Sequence, residues 1–131
     1  MNPLLALQDY GQSVWLDYMQ RHLITSGELQ RLIDEDGLRG MTSNPAIFEK
    51  AITGSADYVE ALRALAGRHL DVTGLYEQLA IRDIQDAADI FRPVYEHTRC
   101  GDGYISLEVS PHLAHDTQGT IREARRLWQT V

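Results

Sequence analysis

Leu38-Arg39-Gly40-Met41-Thr42-Ser43-Asn44-Pro45 passes from an apolar start to a polar close and then to proline. Its first five residues predict a short strand, with Gly40 weakening strand propensity near the centre. Asn44-Pro45 then predicts a helix start. Asparagine can accept from a free amide of the first turn, and proline is preset for the first helical position. A strand that runs straight into a helix is the repeating piece of a parallel α/β sheet.

Working outward, two more segments read as strands: Ser13-Val14-Trp15-Leu16-Asp17-Tyr18 and Tyr104-Ile105-Ser106-Leu107-Glu108-Val109. The patterns between and after them are helical. Thr25-Ser26-Gly27-Glu28 has capping-box spacing ahead of Leu29, Leu32 and Ile33. Tyr58, Leu62 and Leu65 share one side of a helix over 57–65. A long helix is expected from about Asp71 to Thr98. Its apolar stripe is Ile81, Ile84, Ala88, Phe91 and Tyr95, with Arg82, Asp83, Asp86 and Asp89 outside. Thr120-Ile121-Arg122-Glu123 repeats the capping-box spacing before a final helix.

The order strand, helix, strand, helices, strand, helix makes three βα units. A doubly wound sheet and a (β/α)₈ barrel both begin this way, and three strands complete neither. Residues 1–131 therefore read as one α/β unit. The span 44–103 is about twice what a single crossover needs, which predicts a helical insertion over about 55–98.

Composition narrows the function classes. The chain has 131 residues, a formal charge of −7, 44% hydrophobic and 24% charged residues. No apolar run approaches the ~20 residues of a membrane helix, and the opening residues, which have no basic start, are not expected to be a secretory signal. An acidic chain does not offer the clustered positive charge that nucleic acid requires. Cys100 stands alone, so no intrachain disulfide is possible and a reducing, cytoplasmic setting is expected. Of the twelve basic residues eleven are arginines; Lys50 is the only lysine.

Each apolar run closes on polar residues: Asp17, then Thr42-Ser43-Asn44, then Glu108 followed by Ser110. In parallel α/β architectures ligands bind at this end of the sheet. Period-two counting puts Trp15 with Asp17, Gly40 with Thr42, and Ser106 with Glu108. On a common interior face, two carboxylates and an amide would converge. Asp17 and Asn44 also admit a simpler reading, as turn and helix-capping residues. Glu108, His112, His115 and Asp116 could be imagined around a metal, but Pro111 interrupts them and a solvated surface loop is the expectation. Gly101-Asp102-Gly103 lacks the residues of a phosphate loop.

Gly11 to Asp17, Gly40-Met41-Thr42-Ser43-Asn44-Pro45-Ala46-Ile47-Phe48-Glu49-Lys50 and Ile105-Ser106-Leu107-Glu108-Val109-Ser110-Pro111 together resemble the transaldolase family. The match is closer to its longer subgroup, which includes proteins fused to glucose-6-phosphate isomerase. Leu113-Ala114-His115-Asp116-Thr117 and the last helix fit as well. The resemblance implies the N-terminal part of a (β/α)₈ barrel. It also implies transfer of a dihydroxyacetone unit between sugar phosphates of the pentose phosphate pathway, through a lysine Schiff base without metal or other cofactor. By motif, Asp17 would be the acid–base residue and Glu108 would work with a water on the Schiff base. Asn44 would hydrogen-bond the substrate, and Thr42 and Ser43 would shape that wall. Carbon–carbon cleavage needs an electron sink and a positioned proton acceptor, which suits these residue types.

The family's nucleophilic lysine lies on a fourth strand. Lys50 falls instead in the helix that follows the second strand, so these 131 residues are expected to be inactive alone. A partial barrel would also leave two strand edges and an inner face open to self-association.

Overall fold

The computed structural model describes residues 2–131, and for Ile47 the backbone only. Three parallel strands, β1 (Val14–Asp17), β2 (Leu38–Thr42) and β3 (Tyr104–Ser106), form one sheet in the order β1-β2-β3. This is consistent with the first part of a (β/α)₈ barrel, as the sequence led us to expect. The helices are α1 (Pro3–Ala6), α2 (Arg21–Thr25), α3 (Glu28–Asp36), α4 (Pro45–Gly54), α5 (Val59–Leu65), α6 (Val72–His97) and α7 (Thr117–Thr130). Of the region 55–98, α6 packs on β2 and β3, while α5 packs against α6 between turns at Ala56–Tyr58 and Ala66–Arg68.

Strand register divides the sheet into two faces. Leu16, Met41 and Ile105 stand abreast and join the core beneath the helices. Trp15, Gly40 and Tyr104 stand abreast on the other face, followed by Asp17, Thr42 and Ser106. A β-carbon on Gly40 would fall 2.3 Å from Trp15 Cε2, so the glycine that weakens the strand makes room for the indole. Trp15 is 40% exposed and Tyr104 39%, so this face lies largely open.

The core is Met19, Leu29, Leu38, Met41, Phe48, Tyr58, Leu79, Ile84, Phe91 and their neighbours. Phe48 meets Tyr76 edge-on at 5.7 Å and Tyr58 at 6.2 Å, which ties α4 to both the turn before α5 and the start of α6.

Five local expectations need correction. Thr25 does not open a helix; it ends α2, and its hydroxyl donates back to the Arg21 carbonyl at 3.2 Å. Gly27, at φ +83°, turns the chain into α3, and Ser26 Oγ accepts from the Glu28 amide. Helix α7 begins before Thr120, because Asp116 accepts from the Gly119 amide at 2.8 Å and its charge suits the helix N-terminus. Strand β3 stops at Ser106, so Glu108 lies in the segment beyond it. Asp83, expected on the solvated side of α6, is fully buried, because Arg21 and Tyr58 pair with it there. Tyr95 is 38% exposed, and Val94 supplies the buried contact near that end of the stripe.

Candidate active site

Parallel pairing aligns the C-terminal ends of the strands, and that alignment builds the first part of the site. Asp17 and Thr42 are register partners as the last residues of β1 and β2. The Thr42 hydroxyl donates to Asp17 Oδ1 at 2.6 Å, a hydrogen bond strengthened by the carboxylate charge. One oxygen of Asp17 is thus oriented while the residue stays exposed to the open face. A carboxylate held in this way has a fixed direction for taking or giving a proton.

Ser43 is buried and prolongs the ladder beyond β2. Its amide and its hydroxyl both donate to the Ser106 carbonyl, at 3.3 and 2.8 Å. These two bonds hold the end of β2 against β3. Asn44 accepts from the Ala46 amide at 2.9 Å and caps α4, with Pro45 at its first position. The capping role read from the sequence is therefore real, and it fixes this side chain beside the strand ends.

Glu108 follows β3 by two residues and is exposed. With Glu49, Tyr76, Glu77, His112 and Glu123 it lines a cavity of about 580 Å³ between the start of α4, the start of α6, the segment after β3 and α7. Burial pushes the Tyr76 phenol up, and the charges of Glu108 and Glu49 push it further. Arg126 ties α7 to α6 by bridging Glu77 at 2.5 Å and Glu123 at 2.6 Å, and it holds Glu123 below the usual carboxylate range. The cavity wall carries Glu49, Glu77, Glu108 and Glu123, an acidic lining that disfavours phosphate, for which cationic groups or free amides are needed.

Among the described residues, no group of three or more His, Cys, Asp or Glu side chains could hold a metal ion. Asp116, imagined as a ligand, caps α7. No helix among the described residues is long and apolar enough to cross a membrane.

Sequence reading missed Asp83, Arg21 and Tyr58 as a cluster. A signal was available. Asp83 falls between Leu79-Ala80 and Ala87 in a helical stripe whose other members are all buried. Its charge argues for the outer side, and the partners that cancel that charge lie 62 and 25 residues away.

The sequence model of the family described as Transaldolase/Fructose-6-phosphate aldolase matches residues 14–131. The chain belongs to this family. Similar curated proteins include "Transaldolase 2" of Nostoc punctiforme, 49% identical over 130 residues, and "Transaldolase" of Trichodesmium erythraeum, 50% identical over 130 residues. Each alignment takes in 99% of this chain and 34% of the relative. "Transaldolase" of Thiobacillus denitrificans is 47% identical across the whole chain and 36% of its own length. The chain thus spans about a third of the curated relatives it matches. The region shared with the transaldolase family contains Asp17, Thr42, Ser43, Asn44, Lys50 and Glu108.

Proposed function

We propose that these residues supply the proton-handling and substrate-wall part of a transaldolase active site. The observation that carries this reading is the Asp17 carboxylate, oriented by Thr42 at the aligned ends of two parallel strands in a family member. In the proposed reaction a lysine outside these residues forms a Schiff base with a ketose phosphate. Asp17 takes the proton of the substrate hydroxyl as the carbon–carbon bond breaks, and the iminium accepts the electron pair. Glu108 assists water in forming and releasing the Schiff base, Asn44 hydrogen-bonds the substrate, and Thr42 and Ser43 hold that wall. No cofactor or metal takes part. A sugar phosphate of the pentose phosphate pathway and a cytoplasmic setting complete the reading.

Lys50 supports the division of labour. It lies on α4, exposed, rather than at a strand end, and the chain has no other lysine. Borohydride reduction in the presence of fructose 6-phosphate, followed by mass spectrometry, tests this. The 131-residue chain is expected to gain no sugar adduct, and a transaldolase containing it is expected to gain one. A stable adduct on Lys50 would overturn the mechanism.

A second reading concerns the chain alone. Among the described residues, strands β1 and β3 each have one unpaired edge, and Trp15, Tyr104 and Trp128 are exposed, the last at 81%. Such edges pair readily with other chains. Self-association is therefore expected in sedimentation velocity, with the average mass rising with concentration; a monomer at all concentrations would count against it.

A further inference from the structure

Arg21, Tyr58 and Asp83 come from three separate parts of the chain and meet in the interior. Tyr58 and Asp83 are fully buried, and the Arg21 side chain is 16% exposed. Both Asp83 oxygens are used. Oδ1 accepts from Arg21 Nε at 2.8 Å and lies 2.6 Å from Nη2, while Oδ2 accepts from the Tyr58 hydroxyl at 2.7 Å. That hydroxyl in turn accepts from the Arg21 backbone amide at 3.2 Å, and the guanidinium lies 4.4 Å from the centre of the Tyr58 ring.

Apolar side chains of similar volume would often fill such a space at lower free energy, whereas a satisfied polar network sets one geometry. The geometry set here belongs to the main chain, because Arg21 is gripped by its amide as well as its side chain. Arg21 lies four residues beyond Asp17, and Met19 between them is fully buried in the core. The exit from β1 is thus held at two successive points just after the residue whose carboxylate meets Thr42.

We propose that Arg21, Tyr58 and Asp83 are positioning residues for Asp17, anchoring residues 18–21 so that its carboxylate stays against Thr42 Oγ1. The importance of this for turnover rests on the acid–base role given to Asp17 above; the anchoring itself does not. The network also makes the position of Asp17 depend on the turn before α5 and on α6, elements that carry none of the candidate catalytic groups.

The test is carbon-13 NMR of the full chain with labelled aspartate, following the Asp17 carboxyl resonance at neutral pH. Thr42→Val removes its hydrogen bond directly and gives the reference displacement. Tyr58→Phe deletes one oxygen, and Arg21→Lys keeps the charge but loses the fork. Each is expected to move the resonance in the reference direction, at least roughly half as far. Leu127→Ala, beside β3 at the opposite edge of the sheet from β1, serves as a control for general loss of stability and is expected to leave it in place. An unmoved resonance in either folded triad variant, or an equal shift in Leu127→Ala, overturns the proposal. The resonance reports the carboxylate's surroundings whether or not a sugar is processed, so a failed borohydride trap would leave this result standing.

Discussion

Asp83→Ala is expected to destabilise the chain by about 3–5 kcal/mol, a large share of the ~5–15 kcal/mol typical of a folded domain. The loss follows from what remains behind. Without the carboxylate, the mostly buried Arg21 guanidinium keeps its charge in the interior, and the Tyr58 hydroxyl loses its acceptor. Replacing the whole network by apolar side chains would cost far less than removing one member. Urea denaturation followed by circular dichroism checks this, with a lowered midpoint at unchanged slope.

The same carboxyl gives the stability a pH dependence. Burial pushes the Asp83 carboxyl above the usual carboxylate range, outweighing the pull of the Tyr58 hydroxyl and the Arg21 guanidinium. The folded chain therefore holds this proton more tightly than the unfolded chain. The resulting stabilisation is full below the ordinary aspartate value and is lost as pH rises through the elevated folded value. The stability difference between the native chain and Asp83→Asn should shrink as pH rises from about 4. A difference that grows over this range would contradict the assignment.

Gly103→Ala is expected to cost roughly 2–5 kcal/mol, combining left-handed strain with overpacking. Gly103 has φ +86° and precedes β3, and its amide donates to the Arg39 carbonyl at 2.7 Å. An added β-carbon would lie 2.5 Å from the Tyr95 nitrogen and 2.8 Å from its α-carbon. These are backbone atoms of α6 and cannot swing aside as a flexible side chain could. The entry of β3 would have to shift away from α6, moving Ser106 from the carbonyl position that holds Ser43. Gly54→Ala is the control: its β-carbon meets open space, and its effect should stay within about 1 kcal/mol. Thermal unfolding of the two variants separates them.

What could be read in advance was local or periodic. The strand Leu38–Thr42 and the cap at Asn44-Pro45 depend on neighbouring residues and were legible as such. So was the long helix opened by Asp71, whose side chain accepts from the Gly74 amide at 2.8 Å. Helix starts were less legible where two caps competed. Asp116 overrides the Thr120 spacing because an ionised carboxylate serves the helix N-terminus better than a hydroxyl.

The site divided along the same line. Asp17 and Thr42 could be placed on one face by counting in twos, because β1 and β2 keep that period to their last residues. Glu108 could not, because β3 ends at Ser106 and the period has no hold beyond a strand.

By itself the sequence determined three parallel βα units, a family with known chemistry, and polar residues at the strand ends. Periodicity, caps and contiguous motifs are properties of neighbouring residues. Only the tertiary structure decided that Thr42 orients Asp17, that Ser43 locks β2 to β3, and that Asp83 is buried against Arg21 and Tyr58. These contacts join residues 25 to 63 positions apart. A buried charge becomes tolerable only once distant partners are in place, and no local pattern reveals them.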